Sequence, residues 1–310
     1  MNFRLAISIK LISVLLFAMM SVLVRYVGET VPLGQVVFFR SAFAIVPVMV
    51  IYAWRGELGA AFGTGRPLGH ITRGLIAVVS MFLNFAALAR LPLVDATAIS
   101  FAAPFITVAL AALVLKERVR VYRWSAVMVG FVGVLVMLWP YLNVGALVTA
   151  RSTASTVGAA CAITAAFTNA GATIQTRRLT DSETTASIVF YFALICTLAG
   201  LVSLPFAWHV PSGLELTALI AIGVIGGLSH IFLTESYRYA AASVVAPFDY
   251  MAILWAFIFG YAIFGEVPTT YVFAGSAIVA ASGLFVIWRE RQRGIERIRT
   301  SAIEGPPVGK

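Results

Sequence analysis

The chain has 310 residues, of which 61% are hydrophobic and only 11% are charged, and its formal net charge is +9. Soluble domains average about half apolar and a quarter charged residues, so this composition excludes an ordinary water-soluble protein. The positive charge does not indicate nucleic-acid binding, because the sequence has no basic domain with interleaved aromatic residues to carry that role.

The hydrophobic residues fall into ten stretches, each close to the roughly 20 residues that a helix needs to cross a bilayer. We therefore predict an all-α integral membrane protein with ten transmembrane helices. The first stretch is interpreted as a retained helix and not as a signal peptide, because nine further spans follow it. The predicted spans, in chain order, are residues 7–27, 34–54, 71–89, 95–115, 124–142, 155–175, 187–208, 214–234, 243–264 and 270–288.

An even number of crossings places both termini on the same side of the membrane. Most of the 22 Lys and Arg residues collect on that side, including those of the basic tail 289–310, whereas the other side receives Arg90 and Arg151. The positive-inside rule then predicts that both termini are cytoplasmic. The tail is expected to act as an orientation signal and to contact anionic lipid.

The segment ALVLKERV, residues 112–119, resembles the segment YAIFGEVP, residues 261–268. When the chain is aligned with itself so that Glu117 falls on Glu266, further matches appear in corresponding spans. These matches are Gly74 with Gly223, Ser80 with Ser229 and Ala103 with Ala252.

The matches divide the chain into two five-helix units, residues 1–147 and 148–288, followed by the tail 289–310. Because five is an odd number, the second copy enters the membrane from the opposite side, so we predict two inverted five-helix repeats. Glu117 and Glu266 then end equivalent helices at opposite faces, where we expect a gate or structural role. Many secondary transporters use inverted repeats for alternating access, with the substrate between the halves near the midplane.

The order of several segments resembles the EamA-type drug/metabolite transporter superfamily over nearly the whole chain. The segments are FFRSAF, GRPLGHITRGL, ALARLPLVDATAISFAAPF, RWSAVMVGFVGVLVMLWP and AAASVVAPFDYMAILWAFIFGYAIFGEVP. Within this superfamily the chain is similar to a bacterial group that contains uptake carriers for riboflavin and for S-adenosylmethionine. The resemblance implies a secondary transporter of a small organic metabolite in the bacterial inner membrane. Riboflavin uptake is the first expectation, with S-adenosylmethionine uptake or the export of amino acids or other metabolites as alternatives.

Two other function classes are less well supported by the sequence. An intramembrane enzyme needs a nucleophile with a base, or a metal cluster, yet His230 is the one histidine within a predicted span and no H-E-x-x-H motif occurs. A channel needs a charged ring or a carbonyl filter, and neither signature is present. We expect no enzymatic activity, no cofactor, no metal and no required protein partner. The expected partners are a small-molecule substrate and membrane lipid, with no nucleic acid.

Ionisable residues within the spans are candidates for function, because burying a charge in a bilayer is costly. Arg40 either faces the cavity and binds substrate or is paired near the interface, and both interpretations stay open. Arg25 is nearer its helix end and is expected to snorkel to the interface. Asp249 is the candidate for proton coupling, with His230 as a substrate-binding residue and its possible partner; alternatively, Asp249 caps an irregular turn.

Neutral polar residues at mid-span depth complete the candidate substrate site: Asn84, Ser100, Asn169 and Tyr250. The alternative for each is an interhelical hydrogen bond, and the larger Asn84 and Asn169 are the stronger candidates for substrate contact. Pro104 and Pro247 are expected to break or kink spans four and nine. We expect the cavity to be lined by spans one to four and six to nine. Its few charges suit a flat, mostly neutral molecule such as riboflavin; cationic S-adenosylmethionine needs Asp249 or Glu235 exposed to it.

Overall fold

The computed structural model describes residues 3–54, 56, 58–114, 116, 121–141, 150–180, 182–240 and 245–304. Glu117, which was expected to act as a gate residue, lies outside the described residues. The described part of the chain is helical and has no strands, which confirms the all-α fold class.

Ten helical segments within the described residues are long and apolar enough to cross a membrane, as the hydropathy pattern predicted. Numbered one to ten in chain order, the spans are Arg4–Val27, Leu33–Trp54, Pro67–Leu88, Leu93–Val114, Val121–Tyr141, Thr153–Thr180, Ala186–Ala207, Gly213–Ser236, Ala246–Phe264 and Thr270–Arg289. The helix of span ten continues to Glu304, and a short helix, Leu58–Phe62, lies between spans two and three.

Spans four and nine are broken near their prolines. Span four consists of the helices Leu93–Ser100 and Ala102–Val114. Proline has no N–H, so Pro104 cannot donate the helical hydrogen bond to the carbonyl of Ser100, and the helix is interrupted at that turn. Span nine begins with the 3₁₀ helix Ala246–Tyr250, which contains Pro247, and continues as Met251–Phe264. Both predicted breaks are confirmed.

The spans pack in pairs that join the two halves of the chain. Span one packs along span eight and span six packs along span three, while span two packs along span seven and span five along span ten. Spans five and ten approach so closely that a Cβ atom on Gly275 would lie 2.6 Å from the carbonyl oxygen of Gly133. Small residues therefore form this helix contact, as their spacing indicated for Gly275.

Two serine positions that were matched in the repeat alignment each contact a span of the other half, but through different groups. The hydroxyl of Ser80 in span three donates to the carbonyl of Ala165 in span six, at 3.2 Å. The carbonyl of Ser229 in span eight accepts from the hydroxyl of Ser13 in span one, at 2.8 Å. Each serine thus joins its span to a span of the other half.

Two helices begin earlier than expected, and this moves two cations into the bundle. The helix of span one begins at Phe3 and that of span three begins at Pro67, instead of near residues 7 and 71. Proline is favoured at the first helical position, where its missing N–H has no helical acceptor. Lys10 and Arg73, which fall in the first turn of the predicted spans 7–27 and 71–89 and were counted with the cytoplasmic charges, therefore lie about two turns inside their helices.

Candidate functional site

The main cavity has a volume of about 580 Å³ and is lined by spans one, three, four, six and nine. This volume is within the range of about 300–1,000 Å³ that is typical of small-molecule sites. Four of the predicted substrate-binding or coupling residues line it, together with one predicted structural proline: Asn84, Ser100, Asn169, Asp249 and Pro104. The cavity runs from Leu88 and Leu93 to Arg177 and Asp249. We refer to these two ends of the bundle as the Glu266 end and the Asp249 end.

A second cavity of about 220 Å³ is lined by spans two, three, six, seven and eight. Asn169 and Thr173 line both cavities, so the second cavity adjoins the main one. Among the described residues, none from spans five or ten lines either cavity. This agrees with the prediction that those two spans are peripheral.

Arg40 lies in the wall of the second cavity and is only 5% exposed. Its Nη2 atom is 2.9 Å from Nε2 of His230. A guanidinium can only donate, so Nε2 of His230 accepts and the ring is held as its Nδ1–H tautomer. The guanidinium carbon of Arg40 also lies 5.6 Å from the centre of the Phe192 ring. Of the two interpretations left open for Arg40, the one that faces it toward a cavity agrees with this geometry.

Arg73 lines the same cavity, and sequence reasoning missed it because it was assigned to the cytoplasmic end of span three. Its Nε donates to the hydroxyl of Thr176 at 2.7 Å and its Nη1 donates to the carbonyl of Ile188 at 3.2 Å. The guanidinium carbon lies 4.9 Å from the centre of the Phe192 ring. Phe192 therefore makes cation–π contacts with two arginines. The signal that could have revealed Arg73 is Pro67, a helix-start residue six positions earlier.

Asp249 forms an ion pair with Lys10, whose Nζ is 2.6 Å from Oδ1. The Lys10 side chain is fully buried, whereas the Asp249 side chain is 44% exposed and lines the main cavity. The expected pairing of Asp249 with His230 is wrong, since His230 contacts Arg40 from span two. Lys10 was missed because it was counted with the cytoplasmic charges that precede span one.

Tyr250 lines neither cavity among the described residues. Its ring stacks on Phe101, with centroids 5.0 Å apart, at the break in span four. Its hydroxyl lies where a Cβ atom on Gly283 would be, so the glycine lets it pack against span ten. Tyr250 therefore packs between the breaks of two spans, a geometry that favours the interhelical alternative for this residue.

Arg25 and Glu266 form an ion pair at the Glu266 end, with 2.5 Å between Nη2 and Oε1. Oε2 of Glu266 accepts the backbone N–H of Leu93 at 2.7 Å. Nη1 of Arg25 donates to the carbonyls of Leu88, at 3.0 Å, and Leu91. The expectation that Arg25 snorkels is wrong, because its guanidinium binds these protein acceptors and its side chain is only 15% exposed. These contacts tie span one to the connections that follow spans three and nine.

Asp95 is a second buried acid at this end and was not predicted. It lies in the first turn of the helix Leu93–Ser100, where the helix dipole favours negative charge. The residue is 3% exposed, and its carboxylate accepts a hydrogen bond from the hydroxyl of Tyr141. It was overlooked because span four was expected to begin at residue 95.

Glu183 joins two connecting segments at the Asp249 end. Its Oε1 accepts the backbone N–H of Gly65 at 2.9 Å and the hydroxyl of Thr64 at 3.3 Å, and His70 Nε2 lies 3.4 Å from Oε2. Burial raises the pKa of this carboxyl, but these contacts outweigh burial and hold the pKa below its usual value. Glu183 is therefore an ionised contact between the two halves at the Asp249 end of the bundle.

Comparison with known proteins identifies related sequences over most of the chain. The model of the EamA-like transporter family matches residues 4–139 and again residues 156–288. The chain is 30% identical to an S-adenosylmethionine uptake transporter of Rickettsia prowazekii, over 91% of this chain and 92% of that protein. It is 31% identical to a pseudopaline exporter of Pseudomonas aeruginosa, over 86% and 90%. It is also 29% identical to a riboflavin transporter of Rhizobium johnstonii, over 76% and 74%.

Proposed function

The chain belongs to the EamA-like transporter family, and on this premise we propose that it is a secondary carrier working by alternating access. As a member of this family it is a multi-pass membrane transporter of small metabolites, and not an enzyme.

The substrate that we propose for the main cavity carries a positive charge. Cationic S-adenosylmethionine needs an acid exposed to the cavity, and Asp249 lines the cavity with 44% of its side chain exposed. This observation carries the proposal that the substrate is S-adenosylmethionine or a metabolite of the same chemistry. The similarity to an S-adenosylmethionine uptake transporter supports it.

Riboflavin is the second candidate, and it was the first expectation from the sequence. The main cavity offers the rings of Phe17 and Phe101 and the amides of Asn84 and Asn169. Aromatic faces and amide groups suit a flat, uncharged molecule with many hydrogen-bonding groups. The similarity to a riboflavin transporter supports this candidate.

We propose that residues 1–147 and 148–288 are inverted repeats. The family model matches each half once, and the pairing of span one with span eight is repeated by that of span six with span three. Ser80 and Ser229, which the repeat alignment matches, lie in these two pairs and each contacts the partner span. In this arrangement the Glu266 end faces outward and the Asp249 end, with both termini, faces the cytoplasm of the bacterial inner membrane.

The described conformation is then open to the cytoplasm. The Arg25–Glu266 contacts close the outer end, and Arg177 and Asp249 line the cavity at the inner end. Asp249 is the proposed proton-coupling residue, because its carboxylate is shared between a buried cation, Lys10, and the cavity. Substrate or a proton can therefore change the partner of Asp249 and bias the conformational equilibrium.

Uptake into vesicles that contain the purified protein tests the function. Labelled S-adenosylmethionine and labelled riboflavin are supplied separately, with and without an imposed proton gradient. We expect saturable uptake of S-adenosylmethionine that the gradient drives above the external concentration. Saturable uptake of riboflavin alone supports the second candidate, and uptake of neither compound contradicts the proposed substrates.

A further inference from the structure

Arg40 and Arg73 are two cations on one cavity, and the described residues that line this cavity include no Asp or Glu. Arg40 contacts the ring nitrogen of His230, and Arg73 donates to the hydroxyl of Thr176 and the carbonyl of Ile188. Among the residues that the structure describes, neither arginine forms an ion pair with Asp or Glu. Their partners satisfy hydrogen bonds but supply no negative charge.

Arginines in a membrane interior are normally paired, because an uncompensated charge in a low-dielectric environment is costly. Arg25 in the same bundle follows this rule, since Glu266 lies 2.5 Å away. Arg40 and Arg73 differ, although their guanidinium carbons lie 5.6 and 4.9 Å from the same Phe192 ring. The second cavity therefore has a positive potential that a bound anion can neutralise.

The second cavity adjoins the main cavity, so one ligand could extend from the main cavity into the second. Asn169 and Thr173 line both cavities. Phe17 lines the main cavity and makes an edge-to-face contact with His230, with ring centres 5.0 Å apart. A molecule bound in the main cavity thus adjoins Asp249, and through the shared wall at Asn169 and Thr173 it lies next to the cavity that Arg40 lines.

We propose that Arg40 and Arg73 form an anion subsite that binds a carboxylate of the transported metabolite. A guanidinium presents its donors in a planar fork that matches the two oxygens of a carboxylate. The inference rests on the proposed carrier function and adds that the substrate is zwitterionic, with its carboxylate at Arg40 and Arg73 and its cation toward Asp249. Riboflavin has no carboxylate and does not use this subsite.

The test compares ligands that differ only in the carboxylate. Thermal stabilisation of the purified protein gives apparent dissociation constants for S-adenosylmethionine and its decarboxylated form, and for benzoate and benzamide. The proteins are the wild type, Arg40→Gln, Arg40→Lys and Arg73→Gln, with Arg90→Gln as the control. Arg90 donates to the carbonyl of Ala86 at the opposite end of span three, outside both cavities.

We expect the wild type and Arg90→Gln to bind the carboxylate member of at least one pair about tenfold or more tightly than its partner. Arg40→Gln and Arg73→Gln should lose this preference while binding the partner compound as before, and Arg40→Lys should keep part of it. If Arg40→Gln does not fold, Arg73→Gln decides. A preference that survives in the folded glutamine variants, or that is absent from the wild type for both pairs, overturns the subsite.

The two proposals can fail separately. If S-adenosylmethionine is neither bound nor transported, the benzoate pair still reports on the subsite in the wild type and in Arg73→Gln. If S-adenosylmethionine is transported but its decarboxylated form binds equally well, and benzoate binds no better than benzamide, the carrier function stands and the anion subsite is wrong.

Discussion

Arg25 and Glu266 lie 2.5 Å apart between Nη2 and Oε1, and together they tie span one to two connections of the bundle at one end of the main cavity. Glu266 also accepts the N–H of Leu93, and Arg25 also donates to the carbonyl of Leu88. Both side chains are more than four-fifths buried. Opening this end therefore separates two charges that are poorly solvated by water, which costs free energy. The pair is therefore the main polar contact that keeps the Glu266 end closed in our account.

Substitution of Glu266 by Gln should weaken this closure. The amide oxygen can still accept from Leu93, but the charge opposite Arg25 is lost, and removing one partner of a buried pair costs about 3–5 kcal/mol. We expect a cysteine at Thr97, which lines the main cavity, to react at least about tenfold faster with an impermeant thiol reagent applied at the Glu266 end. Both native cysteines are first replaced, as Cys161→Ala and Cys196→Ala, so that only the introduced cysteine reacts.

The matched control is Arg90→Gln, since Arg90 lies at the same end and donates to the carbonyl of Ala86 in its own span. It should leave the labelling rate unchanged. Unchanged labelling in folded Glu266→Gln would show that the ion pair does not hold this end closed.

Asp249→Asn should separate exchange from uphill transport. Asparagine cannot bind and release a proton. Substrate exchange should therefore persist, whereas the internal substrate concentration should no longer rise above the external one. The substitution also leaves the buried Lys10 without its carboxylate, which should lower the yield of folded protein. The double variant Lys10→Met/Asp249→Asn should recover folded protein but not accumulation.

Accumulation and exchange are compared in reconstituted vesicles, normalised to folded protein. Proton-driven accumulation at the wild-type level in Asp249→Asn would remove this residue from the coupling mechanism. Arg40, Asn84 and Asn169 would then be the residues to test next.

The number of spans and the breaks at Pro104 and Pro247 could be predicted because their causes are local. A bilayer requires a continuous apolar stretch for each helix, and proline removes a hydrogen bond from its own turn. The partners of charged residues could not be predicted in this way. Lys10 and Arg25, both in span one, pair with Asp249 in span nine and with Glu266, which follows span nine. These pairs therefore depend on how the spans pack.

The misplacement of Arg73 has the same origin. A charged residue indicates the end of a span only where its side chain is exposed to water. Arg73 donates a hydrogen bond to Thr176 from span six and contacts the Phe192 ring from span seven, and no pattern within span three predicts those contacts. Tyr250 was predicted to line the substrate site because the sequence shows a polar side chain at mid-span depth. The sequence does not show that its ring stacks on Phe101 from span four.

Gly275→Ala should destabilise the contact between spans five and ten. The added Cβ atom would lie 2.3 Å from Cγ of Met137 and 2.6 Å from the carbonyl oxygen of Gly133, and such overpacking costs about 1–3 kcal/mol. We expect a lower midpoint of thermal unfolding in detergent. Gly213→Ala is the control, because no heavy atom lies within 4 Å of its added Cβ; equal midpoints for the two variants would contradict the close contact.

Cysteines at Arg120 and Thr269 should report opposite sides of the membrane. Thr269 follows span nine, and Arg120 lies in the sequence between spans four and five. In the Cys161→Ala/Cys196→Ala background, an impermeant thiol reagent should label only Thr269→Cys in intact cells and both positions after permeabilisation. Equal labelling of both in intact cells is incompatible with inverted repeats.

Counterflow is the measurement that tests the carrier account most directly. Vesicles containing the protein are loaded with unlabelled S-adenosylmethionine and diluted into a trace of the labelled compound, with no ion gradient. A carrier that exposes one site alternately to each side should accumulate the label transiently above equilibrium, and unloaded vesicles should show no such overshoot. Saturable uptake of S-adenosylmethionine without an overshoot, or a flux that rises linearly with concentration, would contradict alternating access through this cavity.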